Sequence, residues 1–117
     1  MKYFTVLYSA PVDTLDEWMK KPEAERKDEE AKMQGDWNAW MEAHKGAVLN
    51  TVALGANKQV TKAGVADARN GIMLSSYVGA ESIEEVAEIF KDHPHLGIPG
   101  ATIDIMQTRQ LGEVQGN

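Results

Sequence analysis

The order of hydrophobic patterns in the sequence predicts an α+β fold of the ferredoxin-like type, βαββαβ, in which a four-stranded antiparallel sheet carries its helices on one face. Three observations support this prediction. Four strand-like runs and two amphipathic helical patterns follow one another as strand–helix–strand–strand–helix–strand. Proline or glycine stands at most of the boundaries between them. The chain has 117 residues, which is the length of about one domain.

The run from Tyr3 to Ala10 predicts the first strand, because it is rich in β-branched and aromatic residues and Pro11 ends it. The same run has some features of a short signal peptide. Thr5 and Ser9 interrupt its apolar core, however, and Pro11 follows where a small-residue cleavage site would lie. We therefore expect a strand inside the sheet and a cytoplasmic protein.

Residues 13–32 form a charged insertion with eight acidic and five basic side chains. Thr14 and Glu17 have the spacing of a capping box, which predicts a short helical turn. Pro22 then ends this turn and suits the first residue of a longer helix. The insertion is either a solvated helix or a mobile excursion. A charge run of this kind is usually a solvated face, and a lid over a pocket is the functional alternative.

Residues 33–45 predict the first main helix, which Gly46 ends. One face of this helix carries Met33, Trp37, Trp40, Met41 and His44. A second strand follows from Val48 to Leu54. Residues 57–71 are polar and contain glycine, so we expect a long hairpin connection with a short extended piece around Val60.

The second half of the chain repeats the order of strand, helix and strand. Ile72 to Val78 is a largely apolar third strand. Ser82 and Glu85 have capping-box spacing and open a helix with one apolar face. In the last strand isoleucines alternate with polar residues, which favours an outward or dimer-facing carboxylate at Asp104 over an inward base. We expect a single domain over residues 1–111 and a flexible tail over 112–117.

Composition excludes several classes of function. The chain has no cysteine, so it has no disulfide scaffold, no thiolate zinc site and no cysteine nucleophile. Twelve Lys and Arg against 18 Asp and Glu give a net charge of −6, which argues against a nucleic-acid partner. No run approaches the roughly 18 apolar residues of a membrane span. The glycines lack the spacing of a phosphate-binding loop or a dinucleotide fingerprint, and we expect no cofactor.

The sheet needs a cover on the face that the helices leave open. The first and third strands are apolar on both sides, so that face is also apolar. Symmetric dimers are the commonest oligomers. We therefore expect a homodimer in which two copies pack sheet to sheet.

Several motifs together resemble the YCII-related proteins of the dimeric α+β barrel group. They are the opening run Lys2-Tyr3-Phe4-Thr5-Val6-Leu7-Tyr8, the helix and turn Trp37-x-x-Trp40-Met41 with Gly46, the second helix from Ser82 to Ala87 with His93-Pro94-His95-Leu96, and the last strand Ile103-Asp104-Ile105-Met106. The resemblance covers most of the chain except residues 13–32 and the tail.

The resemblance implies a ferredoxin-like homodimer with a pocket between the helices and the sheet. A few members act on small aromatic compounds, including the dehydrohalogenation of hydroquinones. Some members carry a His–Asp pair whose histidine lies early in the first long helix. Here that place falls near Gly35, between Gln34 and Asp36. An Asp-Gly-Pro-Phe motif of another branch is replaced by Asp67-Ala68-Arg69-Asn70-Gly71.

The three histidines are the first candidates for chemistry. His44 ends the first main helix, and His93 and His95 follow the second. The negative end of a helix dipole favours a protonated imidazole, which could act as a general acid or hold an anion. The alternative is that His93 and His95 cap the last carbonyls of the helix and pack against the fourth strand. Two imidazoles are fewer than zinc usually takes, so we expect no metal site.

Aromatic side chains are the second group of candidates. Trp37 and Trp40 either line a pocket for an aromatic ligand or belong to the core. Hydroxyl groups follow on the first and third strands, which we expect to be parallel neighbours. These are Tyr8, Ser9, Ser75, Ser76 and Tyr77. They lack the turn around a nucleophilic serine, so a ligand contact at the pocket mouth, a solvated strand end or a dimer hydrogen bond is expected. Arg69 suits a carboxylate or a surface ion pair.

The sequence thus leads to two hypotheses. In the first, the chain is a cofactor-independent enzyme, of lyase or dehydrohalogenase type, that acts on a small quinol-like molecule between helix 33–45 and the sheet. His93 and His95 are then the catalytic candidates, and Tyr8, Trp37, Trp40, His44 and Tyr77 are the ligand-binding candidates. In the second, the chain is a non-catalytic module that binds a small ligand or a regulatory partner, with residues 13–32 as the contact surface. Relatives of this kind often accompany sigma-factor genes, which favours a regulatory role.

Overall fold

The central element of the computed structural model is strand β1, Lys2–Ser9, which has a neighbour on each side in a four-stranded sheet of order β2-β5-β1-β6. The other strands of this sheet are β2, Val48–Ala53, β5, Ile72–Ala80, and β6, Thr102–Gln107. The run expected to be a strand rather than a signal peptide is thus the centre of the sheet. The structure describes residues 1–112, so residues 113–117 of the expected tail lie outside it.

Helices and a separate hairpin complete the fold. Helix α1 spans Val12–Met19, α2 spans Glu23–His44 and α3 spans Ile83–Phe90, and a 3-10 turn follows at Pro94–Gly97. Strands β3, Asn57–Thr61, and β4, Gly64–Ala68, pair with each other and form a second, two-stranded sheet. The expected extended piece around Val60 is therefore one arm of a two-stranded hairpin outside the main sheet. Among residues 1–112 we find no helix whose length and apolar composition would let it span a bilayer.

All neighbouring strands of the main sheet are antiparallel. The prediction of a ferredoxin-like α+β fold is confirmed. The expectation that the first and third strands are parallel neighbours is wrong, because β1 and β5 pair antiparallel with Val6 opposite Ser76. The reason is topological: β2 is parallel to β1, and the strand inserted between them must run against both.

Alternation along β1 divides its side chains between two faces of the sheet. Phe4, Val6 and Tyr8 are fully buried and face the helices. They form the core together with these residues of the other elements: Trp40, Val48, Val78, Ala80, Val86 and Phe90. The other face carries side chains that remain partly exposed, among them Val52 and Met106. Asp104 is exposed between two inward isoleucines, as the alternation in β6 predicts.

The charged insertion is helical. Helix α1 begins at Val12 after Pro11, so Thr14 lies inside it and does not cap it as expected. Pro22 immediately precedes α2 rather than opening it. Trp18 Nε1 donates a hydrogen bond of 2.9 Å to Glu29 Oε2, which ties α1 back onto the first half of α2. The second capping box is confirmed, since Ser82 Oγ accepts from the backbone N–H of Glu85 at 3.1 Å.

Candidate functional site

Six rings from four elements meet between the helices and the sheet. Tyr8 comes from β1, Trp37 and Trp40 from α2, Phe90 from the end of α3, and His93 and His95 from the turn that follows. We call these residues the aromatic cluster. Trp37 and Trp40 are three positions apart on α2 and therefore point in similar directions. Tyr8, Trp40, His93 and His95 are buried, and Trp37 is half-buried.

His93 is the hub of the aromatic cluster. Its ring centroid lies 4.4 Å from that of Trp37 and 4.4 Å from that of Trp40, in both cases edge to face. The Tyr8 ring is 5.2 Å away, and the Phe90 ring is 5.8 Å away. Pro94 follows His93 directly and starts the 3-10 turn, so the backbone there is stiff. The imidazole is held in place by packing on several sides.

Two backbone contacts orient the histidines. The backbone N–H of His95 donates to His93 Nδ1 at 2.9 Å. Because Nδ1 accepts, the neutral ring of His93 carries its proton on Nε2. His95 Nε2 donates to the carbonyl oxygen of Ser9, 2.8 Å away, at the end of β1. Neither contact is to a carbonyl of α3. The expectation that the two side chains cap the end of that helix is therefore wrong.

Two N–H donors of the aromatic cluster are buried without a hydrogen-bond partner among residues 1–112. They are His93 Nε2 and Trp40 Nε1. A buried donor without a partner costs about 1–3 kcal/mol. Folded proteins leave few such groups, and a binding role is one of the reasons for keeping them. An acceptor, such as the oxygen of a small ligand, would satisfy them.

Burial keeps His93 neutral. Removal from water lowers the pKa of His93 from its ordinary 6.5 to about 4, and repulsion from His95 and His44 acts in the same direction. The expected protonated imidazole at the helix end is therefore wrong for His93, because desolvation outweighs the helix dipole here. At neutral pH this residue offers a neutral N–H group.

A chain of hydroxyl groups leads away from the aromatic cluster. Tyr8 Oη lies 2.6 Å from Ser76 Oγ, and Ser76 Oγ lies 2.7 Å from Thr51 Oγ1 on β2. Burial raises the pKa of Tyr8, while the hydrogen bond to Ser76 acts in the opposite direction. Sequence reasoning missed Thr51. The signal that could have found it is the strand register, which places Thr51 opposite Ser76.

Of the remaining ligand-binding candidates, His44 borders the aromatic cluster and Tyr77 lies apart from it. His44 is half-buried at the end of α2, and its ring centroid is 4.5 Å from that of Trp40. Tyr77 lies on the opposite face of the sheet, where it stacks on Tyr3 with a centroid distance of 5.4 Å. Its neighbours Ser76 and Val78 face the helices, so alternation turns Tyr77 away. The structure therefore does not bring Tyr77 to the other candidates.

A separate open groove of about 800 Å³ lies beside α1, with Val12, Leu15 and Leu74 in its wall. Arg69 also borders the groove and pairs with Asp16 of α1 at 2.9 Å. This hydrogen bond lowers the pKa of the Asp16 carboxyl. Of the two roles expected for Arg69, a ligand carboxylate or a surface ion pair, the structure shows the ion pair. In the described part of the chain, no group of three or more His, Asp or Glu residues could hold a metal ion.

The neutral state of His93 predicts an acid-sensitive fold. The unfolded chain binds a proton at this histidine near pH 6.5, whereas the folded chain does so only near pH 4. Stability from this group is therefore complete above pH 6.5 and is lost as the pH falls towards 4, by up to about 3 kcal/mol. The measurement is urea unfolding from pH 7 to pH 4 for the native chain and for His93→Gln. The native chain should lose more stability over this window, and equal losses would contradict the assignment.

No model of a protein family matches the chain, and no curated protein matches it. Among solved structures, the chain is similar to 5-chloro-2-hydroxyhydroquinone dehydrochlorinase from Burkholderia phenoliruptrix in complex with 2,5-dihydroxybenzoquinone. The TM-score is 0.55 at 15% identity, over 95% of this chain and 97% of that chain. A structural similarity at 15% sequence identity supports the fold alone. The chain therefore has the ferredoxin-like α+β architecture of that enzyme, the fold that the resemblance to YCII-related proteins implies.

Proposed function

We propose that the aromatic cluster binds a small hydroxylated aromatic molecule of the quinol or hydroxyquinone type and that the chain is a cofactor-independent enzyme acting on it. The observation that carries the proposal is the pair of unpaired donors, His93 Nε2 and Trp40 Nε1, among aromatic rings. A quinol presents a flat ring to such surroundings and oxygens to the donors. The dehydrochlorinase of similar fold, solved with a dihydroxybenzoquinone, supports this ligand class at the level of fold.

The two donors suit a reaction in which negative charge grows on a ring oxygen. A neutral N–H group stabilises an oxyanion more than the hydroxyl from which it forms. Such stabilisation favours the loss of phenolic protons. The halide can leave once the carbon that bears it has gained a proton. The quinol then loses two phenolic protons, one to that carbon and one to water, and the halide departs with the electron pair of its bond to carbon, so that a hydroxyquinone remains and one hydrogen halide is lost overall. His93 then acts as a hydrogen-bond donor, in place of the proton-transfer role predicted from the helix end.

In this proposal the ligand enters the aromatic cluster past Trp37. Tyr8, His93 and His95 are buried, whereas Trp37 is the half-buried ring of the group. We propose that rotation of its side chain admits the ligand between α2 and the sheet. Its ring centroid lies 5.3 Å from that of Tyr8, so an aromatic ligand can take over a contact that Trp37 gives up.

A second candidate is a non-catalytic module that binds the same kind of ligand. One observation favours it: Nδ1 of His93 already accepts from the backbone of His95, so neither nitrogen of the neutral ring is free to take a proton. A regulatory partner would meet the exposed charges of α1 and the first half of α2. Chloride release from 5-chloro-2-hydroxyhydroquinone distinguishes the two candidates, because the module binds the compound without releasing chloride.

The ligand site can be tested by calorimetric titration with 2,5-dihydroxybenzoquinone. Trp40→Phe keeps an aromatic ring and removes one donor, and His93→Phe removes the other. Each should weaken binding by about tenfold, the equivalent of one hydrogen bond of about 1.4 kcal/mol. Trp18→Phe is the matched control, because its N–H is bonded to Glu29 outside the aromatic cluster. Equal affinity in all four proteins would contradict the site.

We also propose a homodimer through the sheet face that the helices leave open. That face carries Tyr3, Val52, Tyr77 and Met106, each 40–46% exposed in the single chain. Each of the four strands contributes one of these half-exposed apolar side chains, and an exposed apolar patch of this kind marks an interface. A second copy with the same face would cover the patch symmetrically.

The dimer can be tested by sedimentation velocity with two matched variants. Val52→Glu places a charge on the open face, and we expect it to sediment as a monomer while the native chain sediments as a dimer. Val60→Glu introduces the same charge on the hairpin outside the main sheet, where the side chain is 74% exposed. It should leave the dimer intact. A monomeric native chain, or a dimeric Val52→Glu variant, would overturn this proposal.

A further inference from the structure

We propose that Tyr8, Ser76 and Thr51 form a proton relay that connects the buried aromatic cluster with solvent at the edge of the sheet. The three residues lie on β1, β5 and β2, which are consecutive in the sheet. Tyr8 belongs to the aromatic cluster, and Thr51 lies on the edge strand, where it is half-buried. The line of hydroxyl groups therefore crosses the sheet from its centre to its rim.

The distances in this line are those of well-formed hydrogen bonds. Oxygen atoms of hydroxyl groups that share a hydrogen bond are usually about 2.7–2.8 Å apart. Here the separations are 2.6 Å from Tyr8 to Ser76 and 2.7 Å from Ser76 to Thr51. Ser76 is 1% exposed and touches both partners, so its single oxygen links the two ends.

Ser76, the middle member of the line, lies in an otherwise apolar layer. Ser76 shares the helix-facing side of β5 with Val78 and Ala80, in an apolar layer. Replacing both partners of a buried hydrogen bond by apolar groups of the same shape can be nearly neutral for stability. Phenylalanine, alanine and valine at the three positions would therefore fill the same space. The hydroxyl groups add a property that packing does not need.

Each hydroxyl group both donates and accepts, so the chain of bonds can run in either direction. When Tyr8 Oη gives its proton to an acceptor in the aromatic cluster, it receives the proton of Ser76. Ser76 receives the proton of Thr51, and Thr51 receives one from water. Each oxygen gains one proton and loses one, and the hydrogen bonds end in the opposite orientation. The reverse sequence carries a proton outwards.

The use of this relay rests on the proposed function. A phenolic ligand that gains or loses a proton in a buried site needs a route to solvent, because His93 holds its nitrogens in fixed roles. Tyr8 is the member that would touch the ligand. Ser76 and Thr51 act through Tyr8 and are positioning residues. The relay itself is present without a ligand, and it can be tested in the free protein.

The test is the exchange of the Tyr8 hydroxyl proton with solvent. Protein labelled with 13C at the tyrosine Cζ is dissolved in equal parts of H2O and D2O, and the rate between the protonated and deuterated signals is measured. Tyr3→Phe and Tyr77→Phe assign the Tyr8 signal. Thr51→Val keeps the shape of the side chain and cuts the relay at its outer end. We expect this variant to slow the exchange by at least about tenfold, because a buried hydroxyl loses its bonded path to water.

Two controls separate the relay from a structural role of Thr51. Thr51→Ser restores a hydroxyl group and should restore the native rate. Thr5→Val removes an equivalent hydroxyl from the opposite face, where Thr5 Oγ1 lies 2.6 Å from Thr108 Oγ1, and should leave the rate unchanged. An unchanged or faster rate in Thr51→Val overturns the relay. Because no ligand is present, that outcome leaves the calorimetric test of the proposed function unaffected, and a failed titration leaves this one unaffected.

Discussion

The hydrogen bond from the backbone of His95 to His93 Nδ1 determines what the aromatic cluster can do. It occupies one ring nitrogen and leaves the proton on the other, so a neutral donor lies among Trp37, Trp40 and Tyr8. Pro94 between the two histidines stiffens the short loop that makes this bond possible. Burial reinforces the arrangement, because it lowers the pKa of His93 to about 4. A protonated ring would lose the Nδ1 acceptor, so the tautomer, the turn and the fold support one another.

The alternation of side chains on antiparallel strands decides which residues can share a site. On β1 the side chain of Tyr8 faces the helices and that of Tyr3 faces the open side of the sheet. On β5 the side chain of Ser76 faces the helices and bonds to Tyr8, whereas that of Tyr77 faces the open side and stacks on Tyr3. One sheet thus carries two aromatic surfaces with different tasks in our proposals. In these proposals the helix face binds the ligand and carries the proton path, and the open face binds the second copy.

The sequence predicted the fold well because its signals are local and repeat with clear periods. The predicted alternation of exposed and inward residues in β6 and the predicted helix cap at Ser82 are both confirmed. The sequence also named Trp37, Trp40, His93 and Tyr8 as site candidates, and the fold brings their rings into contact. Three of the features that the sequence did not predict depend on tertiary placement. The first is the antiparallel pairing of β1 and β5, which follows from topology. The second is the lowered pKa of His93, since helix-end reasoning ignores burial. The third is Thr51, whose role depends on register.

The most direct measurement of the central claim is the indole region of a 1H–15N spectrum, in which each tryptophan gives one N–H signal. The chain has three, from Trp18, Trp37 and Trp40. On addition of 2,5-dihydroxybenzoquinone, our account predicts that the Trp40 signal moves downfield as its unpaired N–H gains an acceptor. The Trp18 signal should stay in place, because its N–H is already bonded to Glu29. A Trp40 signal that does not move in the presence of excess ligand would contradict the account.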